Sequence, residues 1–171
     1  MTTKPKKMRS GPYAMLVVLG YRAKLVWNRL RGRSFELPNY TQLEQDLFIG
    51  GRSKSPPPNT RAVLNLSPNP DEFTVEEYRW RPLHAGSAPT VPWLREQVEF
   101  IGFCRRAGMT VFVHCDAGID RSALVVIAYF MWQKRITSEE ASEWVCRKRS
   151  VVRPNPIFRQ LLQEWGRSLG I

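Results

Sequence analysis

Cysteine and histidine are scarce in this chain, which has three cysteines, Cys104, Cys115 and Cys146, and two histidines, His84 and His114. An odd cysteine count is poor material for a disulfide framework and points to a reducing, cytoplasmic setting. No Cys-x-x-Cys pair or metal-ligand spacing is present, so neither a metal nor another cofactor is expected. Long apolar runs are missing too. The uninterrupted apolar stretch from Tyr13 to Leu19 falls far short of the roughly 20 residues a membrane span requires. Lys4 to Arg9 resembles the positive start of a secretory signal, but no small-residue cleavage pattern follows before Tyr21-Arg22. There is no internal repeat, and 171 residues support one core and no second domain.

Acidic residues are absent from the start of the chain. Of the +11 net charge, +9 is carried by Lys4, Lys6, Lys7, Arg9, Arg22, Lys24, Arg29, Arg31 and Arg33, and all fifteen acids follow Ser34. Residues 34–171 are nearly balanced at +2. This divides the chain into a basic, apolar extension over residues 1–39 and a folded domain over 40–171. Within the extension, Leu16, Leu19, Ala23, Val26 and Leu30 recur at spacings of three and four among Arg22, Lys24, Arg29 and Arg31, which predicts an amphipathic helix over 13–31. Three roles stay open for it. It packs its stripe on the domain, or residues 1–33 lie peripherally on an anionic membrane surface, or, least favoured, they meet nucleic acid. A monomer is expected.

The domain has its clearest local pattern near residue 115. Thr110-Val111-Phe112-Val113 reads as a buried strand, and Ser122 to Trp132, apolar all round and free of glycine and proline, reads as a central buried helix. Between them runs His114-Cys115-Asp116-Ala117-Gly118-Ile119-Asp120-Arg121. A loop entering a helix N-terminus presents unpaired N–H groups and the positive end of the helix dipole, which together favour an anion. The backbone amides of Asp116, Ala117, Gly118, Ile119, Asp120 and Arg121 are the expected donors to a phosphate. The same field favours thiolate at Cys115, and the Arg121 guanidinium suits phosphoryl oxygens. A buried cysteine in an ordinary strand-turn-helix is the plainer alternative, but spacing, glycine, arginine, serine and flanking elements all agree on the anion site.

This pattern, His-Cys, five residues, then Arg-Ser, resembles the signature of cysteine-dependent protein tyrosine and dual-specificity phosphatases. The resemblance extends to Asp46-Leu47-Phe48-Ile49-Gly50-Gly51, to Ala62-Val63-Leu64-Asn65-Leu66-Ser67 and to Pro154-Asn155-Pro156-Ile157-Phe158 with Gln160-Leu161, covering roughly residues 40 to 166. It implies a two-step phosphomonoester hydrolysis. Cys115 attacks phosphorus, Arg121 and the loop amides hold the equatorial oxygens, Ser122 assists the departing thiolate, and His114 supports the loop and the cysteine. Independently of the resemblance, Thr90-Val91-Pro92 starts a helix with Leu94, Val98 and Ile101 on its stripe, closed by Gly108. Thr137-Ser138-Glu139-Glu140 fits a capping box before Ala141, Trp144 and Val145, and Asn155-Pro156 opens a helix burying Phe158, Leu161, Leu162 and Trp165. The fold class expected is a single α/β domain with a mixed, mostly parallel central sheet flanked by helices.

The departure from the family is the general acid. The aspartate usual about thirty residues before the cysteine falls on Ala85, or on His84 in the neighbouring register, and residues 78–90 contain no carboxylate. Three explanations stay open. His84 donates the proton, or it only bonds locally. Asp120 donates it, as proposed for myotubularin-like and Sac-like phosphoinositide phosphatases whose loops it resembles, or it is a solvated turn residue. Alternatively there is no acid, which would cost about 10²- to 10⁴-fold on alkyl phosphates. Asp116 is expected to point outward, with Asp120 paired to a neighbouring base or protonated when substrate is bound.

A phosphorylated protein is the default substrate that the signature implies. A phosphorylated lipid is the alternative: Arg31-Gly32-Arg33 and Ala88-Pro89-Thr90 loosely resemble phosphatases of phosphatidylglycerophosphate, and a basic arm suits an anionic membrane. A phosphate-binding adaptor without turnover is the reading from another class. Cys115 weighs against it, since a pure binder needs no oxidisable nucleophile. Cys104 and Cys146 read as core residues, with a redox role toward Cys115 as the alternative.

Overall fold

Five short runs rich in β-branched, aliphatic and aromatic residues pair into one sheet, in the order β1-β2-β5-β3-β4. The computed structural model describes residues 39–84 and 86–171. The helix predicted over 13–31 and Ala85 lie outside the described residues. The strands are β1 (Tyr40–Glu44), β2 (Leu47–Gly50), β3 (Thr60–Asn65), β4 (Glu77–Trp80) and β5 (Thr110–His114). Among the described residues only the β1–β2 pair is antiparallel; β2–β5, β5–β3 and β3–β4 are parallel. β5 lies at the centre, and its residues from Val111 to His114 are all buried. A strand covered on both faces reads as a continuous apolar run, as Val111-Phe112-Val113 does.

The helices are α1 (Val91–Arg106), α2 (Arg121–Lys134), α3 (Ser138–Lys148) and α4 (Pro156–Leu169). Their starts follow the sequence closely. The Thr90 hydroxyl accepts from the Trp93 N–H, Thr137 and Glu140 form the expected capping box, and Asn155 Oδ1 accepts from the Phe158 N–H at 3.0 Å. Each satisfies amides that a helix leaves unpaired at its first turn.

α2 is the hub. It packs on α1, α3 and α4 and against β2 and β5, so residues 122–131 are buried whichever way they face. That accounts for the lack of an amphipathic pattern in its sequence. Phe158, Leu161, Leu162 and Trp165 of α4 close the core beside it, and the Trp165 indole donates to the Ala128 carbonyl at 3.0 Å. Trp144 is only half-buried, its ring tilted against Phe130. Among the described residues no helix is long and apolar enough to cross a membrane.

Candidate active site

The parallel neighbours of β5 decide where its C-terminal end delivers the chain. His114 pairs in register with Gly50 of β2 on one side and Asn65 of β3 on the other, and the backbone then loops over 115–120 into α2. Gly118 makes the loop's turn at φ +66°, a left-handed conformation in which side chains are strained. It also lies so close to Gly50 that a Cβ would run into the Gly50 backbone.

The loop is held from outside by its carbonyls. Asp116 O accepts from the Arg52 N–H at 3.1 Å and Ile119 O from the Arg153 N–H at 2.8 Å. Arg149, buried at 3% exposure, donates from Nε to Gly118 O at 2.8 Å and from Nη2 to Ala117 O at 3.3 Å, while its Nη1 donates to Thr41 Oγ1. With the carbonyls drawn outward, the amides of Asp116, Ala117, Gly118, Ile119 and Asp120 have no backbone acceptor among the described residues. Successive free N–H groups in a curled loop form an anion-binding concavity.

Cys115 sits at the bottom of the loop, 2% exposed, with its Sγ 3.4 Å from the buried Ser122 Oγ. Arg121, the first residue of α2, folds back across the loop. Its Nη1 donates to Leu83 O at 3.1 Å and its Nη2 to Asp116 Oδ2 at 2.7 Å. Behind the cysteine, His114 Nε2 is 2.8 Å from Asp71 Oδ2, both side chains fully enclosed. The His114 ring stacks on Phe112, and Asp71 Oδ2 also accepts from Asn65 Nδ2 and the Tyr78 hydroxyl. A buried carboxylate facing one ring nitrogen fixes the orientation of an imidazole.

Residues 58–168 match the family model for the dual specificity phosphatase catalytic domain. The chain belongs to this family. It is 41% identical over 106 residues to dual specificity protein phosphatase 1 of Homo sapiens, an overlap covering 60% of this chain and 29% of that protein. It is 40% identical over 106 residues to dual specificity protein phosphatase 4 of Homo sapiens, covering 60% of this chain and 27% of that one. The chain thus spans under a third of the length of these curated relatives. Among solved structures, human DUSP28 superposes with a TM-score of 0.72 at 24% identity, covering 78% of this chain and 97% of its own. PTPMT1 in complex with PI(5)P superposes with a TM-score of 0.70 at 22% identity, over 78% of this chain and 97% of that one. These likenesses support the expected α/β fold with its mixed, mostly parallel sheet.

Within the dual specificity phosphatase domain, the residues singled out in the sequence meet along one loop: Cys115 Sγ lies against Ser122 Oγ, the Arg121 guanidinium against Asp116, and His114 ends the strand that leads into it. Two expectations are corrected. Asp116 does not point away from the site; it turns onto Arg121, because the curled loop brings the two opposite charges to adjacent points of its rim. Of the two alternatives for Asp120, the first does not hold among the described residues: it is not paired to a base. It accepts from the Asn155 backbone N–H at 2.9 Å and from Asn155 Nδ2, so both its oxygens are engaged by the start of α4. Burial pushes its carboxyl above the ordinary value, against the opposing pull of Asn155 and Arg121.

His84 is exposed and follows Leu83, the residue whose carbonyl receives Arg121, so it stands at the edge of the site. Cys104 is fully buried and its thiol is pushed up to about 11, chiefly by burial. Cys146 is half-buried against the core, its thiol raised for the same reason. Sequence reasoning missed Arg149, Asp71 and Tyr78. An arginine within the basic run Arg147-Lys148-Arg149 has no local mark of burial, and Asp71 sits in a Pro/Asn-rich loop where aspartate is ordinary.

Proposed function

We propose that this chain hydrolyses phosphomonoesters through a cysteinyl-phosphate intermediate, with a phosphorylated protein side chain as substrate. The observation that carries the reading is one loop that holds Cys115 Sγ against the Ser122 hydroxyl, folds the Arg121 guanidinium back onto Asp116 and leaves its amides from 116 to 120 without a backbone acceptor among the described residues. The amides and Arg121 bind the phosphoryl oxygens and gain strength as charge develops on them in the transition state. Cys115 is the nucleophile. Ser122 donates a hydrogen bond to the sulfur when water releases phosphate in the second step. His114, set by Asp71, steadies the strand end that carries the cysteine.

Hydrolysis of para-nitrophenyl phosphate tests this directly. The wild-type chain is expected to release para-nitrophenol with a pre-steady-state burst, Cys115→Ser to release none, and Arg121→Lys to lose about 10²-fold or more in kcat/KM, since an ammonium cannot form the bidentate contact. A Cys115→Ser protein that keeps wild-type turnover would refute the reading.

A second reading, a phosphorylated lipid on a membrane surface, is favoured by the concentration of nine bases before any acid. PTPMT1, similar in fold, has been solved with PI(5)P bound. In this reading, residues 1–33 would seat the enzyme peripherally on anionic lipid beside its substrate. Comparing turnover of a phosphotyrosine peptide with that of phosphoinositide and phosphatidylglycerophosphate vesicles separates the two. Preference for the peptide sets the lipid reading aside.

A further inference from the structure

An alkyl phosphate ester departs slowly unless its leaving oxygen receives a proton, and residues 78–90 hold no carboxylate to give one. Asp120 has both oxygens against Asn155. Asp116 is placed differently. Its carboxylate is in contact with Arg121 at 2.7 Å while 48% of its side chain is open to solvent, so it stands at the entrance, on the group that receives the phosphate. Its backbone is pinned there. The Arg52 N–H holds its carbonyl, and Gly51 approaches so closely that a Cβ would come within 3.0 Å of the same oxygen. Among the described residues, it is the carboxylate in hydrogen-bond contact with the phosphate-binding guanidinium.

We propose that Asp116 is the general acid of the reaction; this rests on the phosphatase reading above. The entering phosphate, a monoanion, takes Arg121 Nη2 and passes its proton to the Asp116 carboxylate. Cys115 Sγ then forms its bond to phosphorus. The bond from phosphorus to the leaving oxygen breaks, its electron pair stays on that oxygen, and the Asp116 carboxyl supplies the proton, so the alcohol departs neutral. In the second step water bonds to phosphorus and gives its proton to the Asp116 carboxylate. The sulfur–phosphorus bond breaks, and its electron pair returns to Cys115 as thiolate, hydrogen-bonded by Ser122.

The test is the dependence on leaving group. Asp116→Asn keeps the shape of the side chain and removes its proton. On O-phosphoserine, an alkyl phosphate, kcat/KM is expected to fall about 10²- to 10⁴-fold. On para-nitrophenyl phosphate, whose leaving group departs unprotonated, kcat/KM, which reports only the steps up to phosphocysteine, should fall far less, while kcat falls because the second step has lost its base. Asp116→Glu should restore part of the lost alkyl activity, and His84→Gln should leave the ratio of the two substrates at its wild-type value. Equal losses on both substrates, or no loss on phosphoserine, overturns the assignment, as does a ratio altered by His84→Gln alone. Cys115-dependent release from the aryl phosphate in the wild-type chain reads the phosphatase activity separately, and its absence overturns both.

Discussion

Arg149 carries no reacting atom, yet it holds the loop carbonyls of Ala117 and Gly118 and reaches Thr41 of β1. Replacing it with methionine keeps most of the packing volume and leaves those buried acceptors without a charged donor. The expected cost is about 1.5–3 kcal/mol of stability, read by urea unfolding, together with a loss of kcat from a loosened loop. An Arg149→Met protein with unchanged stability and unchanged turnover would show the contacts to be incidental. Cys115, Arg121 and Ser122 were legible in the sequence because their relation is local, fixed by spacing within one strand-loop-helix. Arg149 and Asp71 act across 31 and 43 residues of chain, on Gly118 and His114, and nothing near either in sequence marks its partner. Asp116 was visible but misdirected, since the sequence gives its charge and not the curl that turns it onto Arg121.

Among the elements, the junction of α2 with α4 is the one where architecture and site meet. Asn155 caps α4 through Phe158 and holds Asp120, the last residue before α2, with its other donors. Asn155→Ala should cost about 1 kcal/mol as a lost cap, and paired with Asp120→Asn it should show a coupling of about 0.5–3 kcal/mol in a double-mutant cycle. The pH dependence has a definite sign. Asp120 is raised above its ordinary 3.8 in the folded chain. Its contribution therefore favours the native state at acid pH and is lost as pH rises through the raised value. Asp120→Asn, which cannot ionise, should gain stability relative to wild type as pH rises above the ordinary carboxyl value in denaturant titrations, and a constant or shrinking difference would count against it. The four helix starts and the central strand were readable because caps and buried runs are local signals. β1 and β4 were not. At the sheet edges, neither Tyr40–Glu44 nor Glu77–Trp80 shows a sustained apolar pattern; their pairing comes from β2 and β3 already in place.

For the whole molecule, the asymmetry of charge is the feature with measurable reach. Deleting residues 1–33 removes +9 and leaves a nearly balanced domain. If the lipid reading holds, the full chain should bind anionic vesicles at low salt and release them as ionic strength rises, since screening shortens to about 8 Å at 0.15 M. The deleted chain should bind weakly at any salt while its para-nitrophenyl phosphate turnover is unchanged. Equal vesicle binding by both would move the contact to residues 34–171.

The carbonyls of the loop from Asp116 to Ile119 are each tied to Arg52, Arg149 or Arg153, all by bonds within the protein itself. Ordering a free backbone costs about 1–2 kcal/mol per residue, and in this loop that loss falls within folding. Orthovanadate or phosphate thus meets a receptor already frozen in shape. Its calorimetric binding entropy should carry the release of water and counterions without the opposing contribution of a segment being immobilised.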